Sequence, residues 1–205
     1  MLATQDLALK SFFRERIVLG QEYLPLEGPV ILAPTHRSRW DALLLPMAAG
    51  RRITKRDCHF MVTVSEMKGL QGWFLNRLGC FAIDQSKPSL ISLRYSIDLL
   101  MAGQQLVLFP EGRINRSGNP IKLEPGLARL SQISLKKGIK VSVLPIGIAY
   151  SEIYPKPLSK AAICFQKPLT IEEFGKDAAL EFNSKLSKRM NLAEGSSLKA
   201  LGRIR

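Results

Sequence analysis

His36 and His59 are the only histidines in the 205-residue chain. His36 follows the short apolar run Pro29–Pro34, in the order Pro34-Thr35-His36-Arg37-Ser38-Arg39-Trp40-Asp41. The end of a strand in an α/β sheet is where sites are usually built. Asp41 lies five residues on, which in a regular helix is about 140° around the axis. The two side chains meet only if His36 sits in the turn before a helix and Asp41 in its first turns. Pro34 holds the entry extended and Ser38 can cap such a helix. A carboxylate on one imidazole nitrogen fixes the tautomer and raises the basicity of the other. The product is a general base poised near neutral pH. The alternative is a His and an Asp that merely share a loop.

A second carboxylate ends an apolar run at Leu106-Val107-Leu108-Phe109-Pro110-Glu111-Gly112-Arg113. Arg116 and Lys122 follow it, with Gly118 and Asn119-Pro120 marking a loop. The alternative is a surface turn with a solvated Glu. No Gly-x-Ser-x-Gly occurs. Cys58, Cys80 and Cys164 are far apart and form no Cys-x-x-Cys pair, which argues against a disulfide scaffold or a structural zinc site. Reduced thiols in the cytosol are the simplest reading. His59, beside the apolar run 60–64, reads as structural.

These residues need a frame. Short apolar runs at 29–34, 60–64, 79–83, 106–109, 141–150 and 161–165 predict strands. Helical patterns cover 40–49, 66–78, 88–102, 125–137 and 176–193. Such alternation predicts a single-domain α/β fold with a mostly parallel or mixed central sheet flanked by helices. Residues 5–18 place Leu7, Phe12, Phe13 and Ile17 near one face and predict an amphipathic basic helix, packed on the domain or lying in a membrane interface. The expected organisation is this helix over 1–19, the main domain over 20–194 and a loose basic tail over 195–205.

Hydrophobic residues make up 46% and charged residues 23%, which excludes disorder, collagen and a coiled-coil rod. No apolar run reaches the roughly 18 residues of a spanning helix. The start, MLATQDLALK, is not a secretory signal by pattern. The net charge of +13 calls for an anionic partner, nucleic acid or a lipid surface. The basic stretches lack interleaved aromatics and no RNA-binding motif occurs, so no nucleic acid is expected.

The blocks together resemble the glycerolipid acyltransferase family, the lysophosphatidic-acid acyltransferases in particular. That family shows Asn-His-x4-Asp and Phe-Pro-Glu-Gly-Thr-Arg blocks in this order. His36, Ser38 and Asp41 match the first, and Phe109, Pro110, Glu111 and Gly112 the second. Gly72-Trp73 with Gly79–Asp84, then Lys122–Leu130, then Leu144–Ile148 resemble three further blocks, so the resemblance spans roughly residues 20–170. Three positions depart from the pattern. Thr35 stands for Asn, Gln85 for an Arg, and Arg113-Ile114 for Thr-Arg. The family uses those arginines to hold the acceptor phosphate, and neither Gln nor Ile supplies that charge.

The resemblance implies acyl transfer from an acyl carrier protein or coenzyme A thioester to a lysophospholipid hydroxyl. His36 and Asp41 would be catalytic. Glu111, Gly112, Arg113, Arg116 and Lys122 would serve the acceptor. No metal and no cofactor are implied. The +13 charge would then hold a cytoplasmic, peripherally associated enzyme on an anionic membrane, with 51–56 (RRITKR) as the densest patch and six basic residues against one acid in 185–205. Trp73, Phe74 and Leu75 beside Arg77 either dip into the interface or pack in the core. Two other readings stay open: the same chemistry on a different lipid alcohol, and a non-catalytic basic module on membranes or RNA.

Overall fold

A computed structural model describes residues 2–77, 79–84, 89–116 and 120–203. Seven strands form one sheet: β1 (Phe13–Leu19), β2 (Val30–Pro34), β3 (Cys58–Thr63), β4 (Phe81–Ile83), β5 (Gln105–Val107), β6 (Ser142–Tyr150) and β7 (Ser159–Phe165). Their spatial order is β1-β7-β6-β2-β5-β3-β4. The run β6-β2-β5-β3-β4 is parallel throughout, while β7 runs antiparallel to β6 and β1 parallel to β7. The expected mixed α/β sheet is therefore present. β2 sits between β5 and β6, with Leu32 opposite Val107 and Leu144. Burial on both faces explains its unbroken apolar sequence.

Alternation along β2 sends Val30 and Leu32 to one core, with Ile31 and Ala33 to the other. The first core packs under α1 (Leu2–Phe12) and α2 (Asp41–Ala49) through Leu9, Leu44, Leu45 and Ala48. The second packs under α5 (Leu90–Met101), α6 (Gly126–Lys136) and α7 (Lys176–Ala200). Two short helices complete the chain, α3 (Arg51–Thr54) and α4 (Gly69–Arg77).

The expected helix over 5–18 breaks at Phe12. Ile17 and Val18 are β-branched and pair with Ala162 and Ile163 of β7. Phe13 is buried, stacked on Tyr150 with ring centroids 5.6 Å apart. Leu9 faces the core and Leu7 faces out, so the face predicted around Leu7 is not the buried one. At the other end α7 runs on to Ala200, through most of the stretch expected to be loose. Ser197 and Leu198 are buried there, which is what extends it. The helix expected from Pro88 begins at Leu90 with Ser89 accepting the Ser92 N–H; Pro88 lies outside the described residues, as does Gln85.

Candidate active site

β2 and β5 are adjacent and parallel, so their carboxyl ends open on the same edge of the sheet. Leu108 N–H still donates to Leu32 O at 3.1 Å, which zips the two exits together. From one exit comes Thr35-His36, and from the other Phe109-Pro110-Glu111. Thr35 is wholly buried, and its hydroxyl accepts the Ile148 N–H at 2.8 Å, pinning the β2 exit to β6.

The structure brings His36 and Asp41 together. His36 Nδ1 lies 2.9 Å from Asp41 Oδ2, with His36 in the turn and Asp41 as the first residue of α2. The same Oδ2 accepts the N–H groups of Arg37 at 2.7 Å and Ser38 at 2.9 Å. Asp41 Oδ1 accepts the Tyr150 hydroxyl at 2.6 Å. Four donors and a helix N-terminus offset the cost of a fully buried carboxylate. Burial, together with the charge and hydrogen bond of Asp41, pushes the Tyr150 phenol well above its usual range, so it remains a donor. A carboxylate only accepts, which places the His36 proton on Nδ1 and leaves Nε2 as the basic nitrogen. No hydrogen bond to Nε2 is found among the described residues. The Phe109 ring stacks on the imidazole, centroids 4.0 Å apart.

Glu111 is turned inward. Its Oε1 accepts the His36 N–H at 3.0 Å and Arg37 Nη1 at 2.8 Å, and its Oε2 accepts Asn115 Nδ2 at 2.9 Å. Asn115 N–H returns to His36 O at 2.8 Å. The buried carboxylate thus holds the His36 backbone.

Two residues whose part the sequence alone does not show, Arg37 and Glu194, complete this scaffold. Arg37 is buried and bridges Glu111 to Glu194 of α7, donating to the latter through Nε. Burial opposes its charge, but Glu194 and Glu111 together hold the guanidinium above its ordinary range. Glu194 reaches it because α7 lies against Gly147 of β6: a Cβ there would sit 2.0 Å from the Glu194 nitrogen. Ser197 Oγ also donates to Gly147 O at 2.9 Å.

The other expected acceptor residues lie on the loop beyond Glu111. Gly112 has φ of 66°, the left-handed turn that redirects the chain. Arg113, Arg116 and Lys122 are exposed. Arg116 leans over the Tyr154 ring, 5.6 Å from its centroid. Ile114, where the resembling family has Arg, is half-buried.

In the dense patch at 51–56 the arginines have partners within the chain, while Arg51, Arg52 and Lys55 lie at the surface. Arg51 pairs with Asp57, Arg52 with Asp6, and Arg56 donates to the carbonyls of Gly28, Gly103 and Pro25. Trp73 is exposed and Leu75 packs against the core; the Phe74 side chain lies outside what is described.

The fold of this sheet and its flanking helices has a counterpart among solved structures. It superposes on the 1-acyl-sn-glycerophosphate (LPA) acyltransferase from Thermotoga maritima with TM-score 0.69 at 18% identity, covering 100% of this chain and 79% of that one. The acyltransferase family model matches residues 15–149, and the chain belongs to that family. It is 28% identical over 123 residues to the 1-acyl-sn-glycerol-3-phosphate acyltransferase of Streptococcus pneumoniae, covering 58% of this chain and 41% of that protein. With the enzyme of the same name from Bacillus subtilis it shares 26% over 117 residues, covering 57% and 56%. These matches thus span about half the length of the relatives, or less. Tyr150, β7 and α7 with Glu194 lie beyond the family match.

Proposed function

We propose that this chain transfers a fatty acyl group from an acyl carrier protein or coenzyme A thioester to the free hydroxyl of lysophosphatidic acid, giving phosphatidic acid, at an anionic membrane surface. The observation that carries this reading is the His36–Asp41 contact at 2.9 Å, with Asp41 fixed by three further donors. His36 keeps 20% of its side chain exposed beside an otherwise closed scaffold.

Nε2 takes the proton of the acceptor hydroxyl as its oxygen attacks the thioester carbonyl carbon. Asp41 stabilises the imidazolium that forms. As the tetrahedral intermediate collapses, the C–S bond breaks and the thiolate leaves with the proton from His36. Cys58 and Cys80 have no part in this. Burial pushes Cys58 and Cys80 up to about 12, so neither is a thiolate at neutral pH. Glu111, Arg37 and Glu194 are positioning residues that hold the His36 backbone and the α7 side of the site.

Arg113, Arg116 and Lys122 are the cations offered to the acceptor phosphate, and an acidic carrier protein suits a basic surface. A second reading has specific support. Ile114 and Gln85 remove two charges that the resembling family places at the phosphate, which favours a phosphate-free lipid alcohol. Initial rates with lysophosphatidic acid and with monoacylglycerol separate the two. Under the first reading lysophosphatidic acid is the better acceptor, and Arg113→Ala raises its KM about tenfold, the loss of one charge-assisted contact. Under the second, monoacylglycerol is preferred and Arg113→Ala changes little.

A further inference from the structure

We infer that the rim formed by the turn at Val64–Met67, α4 and the first turn of α5 is the face that seats this protein on a bilayer containing anionic phospholipid. The inference rests on the acyltransferase reading and assigns its membrane partner to a particular surface. Leu70, Leu90 and Ile91 are 81%, 83% and 82% exposed, and Trp73, Val64 and Tyr95 on the same elements are exposed as well. Scattered exposed apolar side chains are normal on a protein surface. These are gathered around one edge strand. Ser92 Oγ ties the start of α5 to Ala82 O of β4 at 2.9 Å, and Tyr95 packs edge-on against Phe81 of β4, 4.9 Å between centroids. Met67 and Leu75 anchor the turn and α4 to the core from beneath.

The rim shares an edge with the site. β2, β5, β3 and β4 are successive and parallel, so the residues leaving their carboxyl ends line up from His36 to Val64 and Asp84. Arg39, three residues after His36, approaches Glu66 of the rim at 3.7 Å. A lipid acceptor lifted at this face enters beside the imidazole.

Charge selects the occupant. Lys68, Arg77 and Arg94 are exposed around the apolar side chains, and no ion pair engages them among the described residues. Arg77 stacks on Trp73 at 3.8 Å, leaving a cation and an aromatic at one level. The nearby Glu66 already faces Arg39. Protruding aliphatics ringed by cations, with tryptophan at the boundary, fit the headgroup–acyl interface of an anionic leaflet. The patch at 51–56 offers less charge, because Arg51 and Arg52, though at the surface, each pair with an acid and Arg56 donates to backbone carbonyls.

The full chain is to be sedimented with phosphatidylcholine vesicles, with and without phosphatidylglycerol. Trp73 emission is followed by brominated-lipid quenching, with Trp73→Ser subtracting the Trp40 signal. The comparison variants are Leu90→Ser/Ile91→Ser and Leu70→Ser, which remove solvent-facing groups; circular dichroism verifies their fold. The expected result is binding only with phosphatidylglycerol, quenching of Trp73, and at least about tenfold weaker partitioning for the double variant. Acyl transfer between short-chain monomeric substrates should survive in that variant while transfer on vesicles falls. Unchanged partitioning of the double variant, or an unquenched Trp73, overturns the inference. So does a dimer that the same substitutions dissociate, since a second copy then covers the face. If transfer is absent with every substrate while the rim still binds vesicles, the acyltransferase reading fails and the surface assignment stands.

Discussion

Glu194 and Arg37 are 157 residues apart in sequence, yet their side chains form a buried ion pair directly behind His36. The pair joins the last helix to the loop that carries the imidazole, with Glu111 on the other side of the guanidinium. Removing one partner of a buried pair leaves an uncompensated charge and costs about 3 kcal/mol or more. Glu194→Ala is therefore expected to lower stability by that amount and kcat by about tenfold. Glu194→Gln, which keeps an acceptor for Nε, should recover most of the stability. Urea unfolding and initial rates check both, and the pH–rate profile should keep its shape because the base itself is untouched.

Gly147 is the clearance that lets this pair form. Gly147→Ala puts a methyl 2.0 Å from the Glu194 backbone nitrogen, so α7 must move away from β6. Overpacking of this kind costs about 1–3 kcal/mol. A thermal scan should show a melting temperature lower by roughly 2–12 °C, taking about 2–4 °C per kcal/mol at this chain length. Activity should fall with it, since Glu194 is carried along.

His59 sets a pH dependence of stability. Burial lowers its pKa below 6.5, with Asp57 only partly opposing. The unfolded chain then binds this proton before the folded one does. Stability is accordingly retained above pH 6.5 and declines as pH falls from 6.5 towards the folded-state value. His59→Gln should flatten the slope across that window in urea titrations at stepped pH. The separate contribution of Asp57, whose pKa the Arg51 hydrogen bond lowers, is lost only below 3.8.

Cys58 and Cys80 are buried thiols held near 12. Iodoacetamide at neutral pH should leave both unmodified in the native protein and alkylate them in urea, as mass spectrometry of the two samples will show. Rapid loss of activity on native alkylation of Cys80 would instead give it a part in the reaction.

Much of this fold is written locally. The apolar runs at Pro29–Pro34 and Val141–Tyr150 lie buried on both faces, and the sequence shows that burial directly. The run at 13–19 did not read as a strand because its partner, β7, lies some 145 residues away. Helical spacing of Phe12, Phe13 and Ile17 was the only local signal, and tertiary pairing overrode it. The site divides in the same way. His36 and Asp41 are five residues apart, so their meeting follows from one turn and one helix start. Glu111 is visible as a residue, but its inward direction depends on Arg37 and Asn115. Tyr150 reaches Asp41 from a neighbouring strand, with no local mark. Glu194 did leave a trace: it is the only acid in a basic tail and shares an apolar helical stripe with Leu186, Met190, Ala193 and Ser197.

The most direct test of the account is acyl transfer by the purified protein on lipid vesicles, comparing wild type with His36→Ala. Acyl carrier protein and coenzyme A thioesters serve as donors, and lysophosphatidic acid as acceptor beside other lysolipids. Among the described residues His36 is the base that the geometry pairs with Asp41, so wild type is expected to turn over and the variant to lose at least about 100-fold. Turnover that survives His36→Ala, or no turnover by wild type on any acceptor while both proteins bind vesicles equally, would contradict it and leave a membrane-binding module in its place.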